Sequence, residues 1–425
     1  MKVIVLGAGV IGVTTAYFLA RDGHEVIVIE KNPSAAQGCS YANGGQLSYS
    51  HIETWAQSNS TLSSLKTILK AQSFLSFCEL SNKKFWSWMW QFYKNSKQDK
   101  ARSNSEKLLQ LANFSKVTLS KILSQESDIK FDYKNNGILH FYRDKKKFDA
   151  AAREAQFYGE LGHRAKILTA EDCVKKEPTL VKLLDEKKLA GGIFYENDAS
   201  GNCAAFVSCL EKICREKYGV VFEYNTEVRN LFTNYKKITG IHTNKSVFTA
   251  DKYVCALGAT GSKLLCGIGI EDSVYPLKGY SLSIDTNEEF VAPSMALTDP
   301  ENRIVYSRQG KIFRAAGTLE LCGLKAAKNK KNIELLKNTI RGTFSDFGNI
   351  NEVEEWSGFR PFRPNSLPLI CEVKKYGNLL INSGHGSLGW TLSAASGKIL
   401  SDIVAGNKDQ KFSFLEEEEK KIYDN

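Results

Sequence analysis

No stretch of this sequence reaches the roughly 18 uninterrupted apolar residues that a membrane-crossing helix needs, so a spanning segment is not expected. The 10 cysteines form no CxxC pair and no Cys/His cluster at metal-ligand spacing, which argues against a structural zinc site. Several, such as Cys255 and Cys371, lie in apolar runs, and reduced, mostly buried thiols are expected. There is no Ser/His/Asp ordering, no pair of acids in a local motif and no metal-binding set, so neither triad hydrolysis nor metal chemistry is expected. Nor is there a basic stripe. The 57 Lys and Arg exceed the 47 Asp and Glu, giving a net charge of +10, but the lysines scatter through Lys94, Lys97, Lys100, Lys145, Lys146, Lys147, Lys328, Lys330 and Lys331. That scatter is unlike a nucleic-acid footprint and reads as solvated faces, with attraction to an anionic membrane surface or a carboxylate substrate as the alternative. Internal repeats and low-complexity linkers are also lacking.

What is present is a chain of 425 residues with 42% hydrophobic content, enough for two domains with separate cores. It opens on MKVIVLGAGVIGVTTAYFLA, an apolar run broken by Gly7, Gly9 and Gly12, which reads as neither leader nor anchor. Val3 to Leu6 suits a strand buried on both faces, and it runs directly into Gly7-Ala8-Gly9-Val10-Ile11-Gly12. A helix to Arg21, a stop at Asp22-Gly23 and a second strand over Glu25 to Glu30 complete a βαβ unit, with an acid eighteen positions after the last glycine. Gly7 makes the tight turn, Gly9 admits a pyrophosphate, and Gly12 lets helix and strand approach. The helix start at Val10 and Ile11 offers its dipole to the phosphates. Glu30, with Lys31 beside it, is placed to meet the adenosine ribose. These elements together predict a dinucleotide site.

The next segments favour flavin over nicotinamide. Lys31 to Leu47 is a long loop of small residues, including Ser40, Asn43, Gly44 and Gly45, suited to wrapping a large fixed cofactor. Near the other end, a strand over Asn378 to Asn382 enters Ser383-Gly384-His385-Gly386-Ser387-Leu388-Gly389-Trp390-Thr391, and a helix follows from about Leu392 to Val404. A glycine loop that opens a helix presents N–H groups and positive dipole to a reduced isoalloxazine edge, although another anion would also suit it. Val220 to Val228, Ile238 to Thr243 and Tyr253 to Ala256 read as strands, and the last ends at Leu257-Gly258-Ala259, a turn able to lie over the cofactor.

Through VIVLGAGVIGVTTAYFLARDGHEVIVIEK, SYANGGQLS, FWSWMWQF, GGIFYENDASGNC, VYPLKGYSL, GFRPFRP and INSGHGSLGWT, the chain resembles the D-amino acid oxidase superfamily of FAD-dependent oxidoreductases. The resemblance is strongest to its branch of D-amino acid dehydrogenase small subunits and covers nearly the whole length. It implies an α/β Rossmann-like FAD domain with an α+β, antiparallel-sheet substrate domain. It also implies oxidative deamination to a 2-oxo acid and ammonia, with electrons passed to a membrane acceptor such as quinone. SYSHIETWAQ and Asn365-Ser366 depart from that branch and point to a difference in substrate choice.

Hydride transfer from Cα to flavin needs alignment and a neutral amine, so no dedicated base is required. It does need a cation for the substrate carboxylate, preferably a guanidinium. Arg360, held by Pro361 beside the second glycine loop, is the first candidate and Arg314 the second, each with a structural role as the alternative. Tyr280 is a candidate hydroxyl donor to the same carboxylate, against simple packing. His385, where the resemblance places the flavin ring, either tunes the ring or holds its loop. His51 is a candidate substrate contact.

The FAD domain is expected to be discontinuous, over 1–80, 190–274 and 356–410, with the substrate domain over 81–189 and 275–355 and a tail over 411–425. Ser105 to Leu123 reads as a helix, and Gly137 to Tyr142 and Tyr280 to Ile284 as strands. The aromatic run Phe85 to Tyr93 reads as core or lid, with membrane docking through Trp86, Trp88 and Trp90 as the alternative. Glu416 to Lys421 reads as a solvated helix end. A cytoplasmic protein is expected, with peripheral attachment to the inner membrane face as the alternative. A homo- or hetero-oligomer is open. Three functions stand: a D-amino acid dehydrogenase, a related flavoenzyme acting on a secondary amine such as proline, hydroxyproline or sarcosine, or a non-catalytic flavin-holding subunit.

Overall fold

The computed structural model describes residues 1–50, 75–77, 82–160, 165–286, 292–325, 327–345, 353–407 and 409–420. The strand Lys2–Leu6 sits inside a six-stranded sheet whose order is Leu369–Glu372, Leu379–Ser383, Lys252–Cys255, Lys2–Leu6, Glu25–Ile29 and Val221–Glu223. All neighbours pair in parallel except the first two. Val3, Ile4, Val5 and Leu6 are fully buried, as a strand covered on both faces requires.

One face is covered by the helices Val10–Arg21, Gln98–Gln125, Cys203–Tyr218 and Gly389–Val404, whose apolar residues share one core with Val3, Val5, Val26 and Val28. The first and last of these helices pack at backbone contact. A Cβ on Gly397 would lie 2.8 Å from both the carbonyl carbon and oxygen of Thr14, and Thr14 Oγ1 donates to Ser393 O at 3.1 Å. The other face, with Ile4, Leu6, Tyr253 and Cys255, packs on Leu231, Ile238 and Ile241 of a three-stranded antiparallel sheet. That sheet is made of Val228–Asn234, Lys237–Thr243 and Val247–Phe248. The expected strand over Val220 to Val228 is therefore two strands in two sheets, because the chain leaves the parallel sheet after Glu223.

Among the described residues the second large sheet has nine strands and is mostly antiparallel. Next to its edge, Tyr275–Asp285 pairs with Ile312–Leu321 on one side and with the edge strand Glu354–Phe362 on the other. The helix Lys330–Thr343 covers one face, setting Ile333, Leu336 and Ile340 against Tyr280, Leu282 and Phe313.

Four expectations need correction. Gly191–Tyr195 pairs with Ile138–Tyr142, and Glu354–Phe362 with Tyr275–Asp285, so both strands belong to the substrate sheet and the boundaries at 190 and 356 move. The helix Gln98–Gln125, assigned to the substrate domain, buries Leu108, Ala112, Leu119 and Ile122 in the core of the parallel sheet. The acidic tail is not a solvated end, since Glu418 and Glu419 are buried. Finally, eight described cysteines are free thiols, five of them buried, but Cys322 is disulfide-bonded, which no short spacing in the sequence signals.

Candidate active site

The two glycine loops, the Lys31–Leu47 loop and the second sheet, chiefly its strands Tyr275–Asp285, Ile312–Leu321 and Glu354–Phe362, enclose a cavity of about 1990 Å³. At one end the first βα turn shows why three glycines stand there. Gly7 has φ +100°, and a Cβ on it would meet Ala256 O at 2.7 Å. A Cβ on Gly12 would fall 1.8 Å from Gly7 O, so no other residue lets the helix start this close to the turn. Gly9 is different: a Cβ there would find only Ser40 Oγ, at 3.5 Å, and the residue faces the cavity. Its bare backbone and the first-turn N–H of Ile11, which has no acceptor four residues back, form a cradle for a phosphate.

Neighbouring side chains hold this turn. Ser40 Oγ accepts from Val10 N at 3.0 Å. Glu30 Oε2 accepts from Ala8 N at 2.8 Å, and its Oε1 accepts from the backbone and side-chain nitrogens of Asn32 at 2.9 and 2.6 Å. Glu30 therefore ties the turn to the end of the second strand as well as reaching the cavity wall. Lys31, Asn43, Gly44, Gly45, Val228 and Gly258 line the same cavity. Gly44 and Gly45 lie close on the second sheet, where a Cβ would meet Val305 Cγ2 and Gln309 Nε2 at 2.3 Å each.

At the other end the Ser383-to-Gly389 loop turns back on itself. Gly386 N donates to Pro361 O at 2.8 Å, and Leu388 N to His385 O at 2.9 Å. Gly386, Leu388, Gly389, Trp390 and Thr391 line the cavity, and Thr391 Oγ1 accepts from Ser48 N at 3.2 Å. Gly12 and Gly384 lie off the wall. Their place is shape: Gly384, at φ +81°, leaves room for Arg363, whose Cδ would be 2.6 Å from a Cβ. Two helix N-termini thus meet one elongated cavity, a donor set that fits a dinucleotide with a flavin ring at its far end.

The catalytic candidates separate. Arg360 lines the cavity. Its Nη1 donates to Thr318 O at 3.3 Å, and among the described residues no carboxylate forms an ion pair with it. Burial holds its pKa below the usual arginine value, the Cys39 thiol opposing. Arg314 lies off the cavity. It is buried, with Nη1 donating to Tyr41 O at 3.1 Å, so it props the Lys31–Leu47 loop and stands apart from the residues that line the cavity. Tyr280 is on the wall, but its hydroxyl donates to Glu320 Oε2 at 2.5 Å and accepts from Asn329 N at 3.0 Å. With both bonds made, the hydroxyl is committed and its pKa raised by burial and by Glu320. The expected donation to substrate is not supported.

His385 borders the cavity, with Nε2 2.8 Å from Ser396 Oγ. Burial pushes its pKa down to about 3, so the ring is neutral and holds the loop without bringing positive charge to it. His51 lies outside the described residues. Asn365 and Ser366 sit off the cavity, with Asn365 Nδ2 donating to Glu418 Oε2 at 2.5 Å, so that departure shapes a buried turn. His140, Tyr142, Arg303 and Thr318 also line the cavity and were missed from sequence. Each stands on or beside a strand whose face only the assembled sheet reveals.

The model of the family described as FAD dependent oxidoreductase, DAO, matches residues 2–403. The chain is 36% identical over 407 residues to a D-amino acid dehydrogenase of Paramagnetospirillum magneticum, covering 96% of this chain and 95% of that one. It is 33% identical over 404 residues to a D-amino acid dehydrogenase of Vibrio cholerae, covering 95% of each. Glycine oxidase from Bacillus cereus shares the fold with a TM-score of 0.74 at 20% identity, over 98% of this chain and 97% of that one. With this match over nearly its whole length, the chain belongs to the DAO family of FAD-dependent oxidoreductases.

Proposed function

We propose that this enzyme oxidises D-amino acids to 2-oxo acids and ammonia and passes the electrons to a membrane acceptor of the quinone type. The observation that carries the substrate class is Arg360, a guanidinium on the cavity wall paired with one carbonyl and no described carboxylate. Its remaining N–H groups suit a bidentate grip on an amino acid's carboxylate. FAD, when bound, supplies the hydride acceptor for the substrate α-carbon. The chain's own part is to hold and align. The first βα turn and Glu30 take the nucleotide end, the Gly389–Val404 helix N-terminus presents donors to the ring end, and Arg360 fixes the carboxylate. With the amine neutral, loss of the α-hydrogen as hydride would need no protein base. The D-amino acid assignment is supported by the names of the curated relatives.

For the acceptor side, the helix Lys83–Asn95 divides its aromatics. Phe85 and Trp88 are buried, and Trp88 Nε1 donates to Phe362 O at 3.3 Å, so Trp88 belongs to the core and not to a docking face. Trp86, Trp90 and Tyr93 are more than half exposed at helical spacing, beside Lys83, Lys84 and Lys94. This stripe suits shallow contact with an anionic bilayer. Among the described residues no helix is long and apolar enough to cross a membrane.

The test is the visible spectrum of the purified, FAD-loaded enzyme under anaerobic conditions with D- and L-amino acids, proline, hydroxyproline and sarcosine. Bleaching by D-amino acids alone supports the proposal. Bleaching only by a secondary amine replaces it, and a flavin that none of them reduces makes the chain a flavin-holding subunit. Unchanged binding to anionic vesicles after Trp86, Trp90 and Tyr93 are replaced by serine removes the docking face.

A further inference from the structure

The Arg360 guanidinium does not project freely from its strand. It crosses the neighbouring strand at Gly279, where a Cβ would lie 2.1 Å from Nη1, 2.5 Å from Cζ and 2.7 Å from Nη2. It then reaches Thr318 O on the strand beyond. Gly279 pairs with Gly358 across the strand boundary. Gly358 is covered in the same way by Trp356, whose ring would be 2.1 Å from a Cβ. Two adjacent glycines thus make a flat floor on which the flat groups of Trp356 and Arg360 lie.

The end of that floor is a bulge. Lys278 pairs with Glu320 and Tyr280 with Gly317, so Gly279 alone stands opposite both Thr318 and Leu319. Bulges of this kind re-aim backbone groups at the edge of a site. Thr318 pays for the geometry with φ +54°, a left-handed conformation that a β-branched residue adopts only when its surroundings impose it. The strained residue is the one whose carbonyl meets Arg360.

We propose that Gly279 and Thr318 are positioning residues that fix the direction of the Arg360 guanidinium, Gly279 by leaving the space it occupies and Thr318 by offering its carbonyl from the bulge. This rests on the reading of Arg360 as the carboxylate clamp. The pair act through Arg360 on substrate binding and not on the flavin.

The experiment compares Gly279→Ala, Arg360→Ala and the double variant, each loaded with FAD. Three quantities are read: KM and kcat for a D-amino acid, FAD content, and the dissociation constant of propanoate from its perturbation of the flavin spectrum. Gly279→Ala is expected to raise KM and the propanoate constant at least tenfold, with kcat changed less than threefold and FAD content unaltered. In the double variant the Gly279 change is expected to add less than twofold to the effect of Arg360→Ala, because its only target is gone. An unaltered KM in Gly279→Ala, or a full additional effect on top of Arg360→Ala, overturns the positioning role while leaving the clamp in place. An unaltered KM in Arg360→Ala overturns both. Should Gly279→Ala fail to accumulate, recovery of folded, yellow protein in the double variant supports the proposal. Continued failure there shows that Gly279 serves the backbone independently of Arg360 and overturns it.

Discussion

Arg363 Nη1 lies 2.8 Å from Glu418 Oε2, an ion pair between two side chains that are 4% and 1% exposed. The same oxygen accepts from Asn365 Nδ2, while Arg363 also donates to the carbonyls of Asp272 and Leu367. The side chain of Arg363 fills the space beside Gly384. The short helix Phe414–Lys420 is thereby strapped under the glycine loop that borders the flavin end of the cavity.

Breaking a buried pair from one side leaves an uncompensated charge, at a cost of about 3–5 kcal/mol. Glu418→Ala is therefore expected to lower the stability of the FAD-loaded enzyme by about that amount and to loosen FAD, as Arg363 withdraws from Gly384. Urea unfolding and the FAD dissociation constant check both. A variant with native stability and affinity would show that the tail does not support the loop.

Arg360→Lys keeps the charge and loses the fork. Loss of one hydrogen bond to a charged group costs about 1.5–3 kcal/mol, so KM for the amino acid is expected to rise roughly 10- to 100-fold while FAD remains bound. Steady-state kinetics beside the flavin spectrum measures this, and an unchanged KM removes Arg360 as the clamp.

The contrast between what sequence showed and what it hid follows the range of the interactions. The first βαβ unit was legible because its signals are local: a buried strand, three glycines at fixed spacing and an acid at the end of the next strand. The surroundings of Arg314 and Tyr280 were hidden because their partners are distant. Tyr41 lies 273 residues from Arg314 and Glu320 lies 40 from Tyr280, and only the assembled sheet shows that these groups are already engaged. The acid run at the C-terminus misled for the same reason, since Glu418 is buried by an arginine 55 residues upstream. Thr318 carried no signal at all, because nothing in a threonine codon marks a positive φ.

Gly397 offers a test of the helix contact beneath the nucleotide turn. A Cβ there would lie 2.8 Å from Thr14 C and O and 3.0 Å from Thr15 N, backbone atoms that cannot rotate away. Gly397→Ala is expected to cost about 1–3 kcal/mol by overpacking and to weaken FAD binding, since the displaced helix carries the phosphate cradle. Thermal melts with and without added FAD report both effects. An alanine accommodated without loss would mean that the two helices are free to move apart.

The neutral imidazole of His385 makes stability depend on acid. Its folded pKa, about 3, lies below the ordinary value of 6.5 because burial disfavours the cation. Between those two values the unfolded chain binds a proton that the folded chain refuses. Its contribution is fully present above pH 6.5 and is lost as pH falls toward 3, at about 1.4 kcal/mol per pH unit. Replacing His385 with Asn keeps a side chain able to bond Ser396 Oγ but removes the titration. The difference in unfolding free energy between the two proteins should therefore change with that slope below pH 6.5 and stay flat above it. Parallel curves across the whole range would show that His385 is protonated as readily in the folded enzyme as in the unfolded chain, and that its loop is open to water.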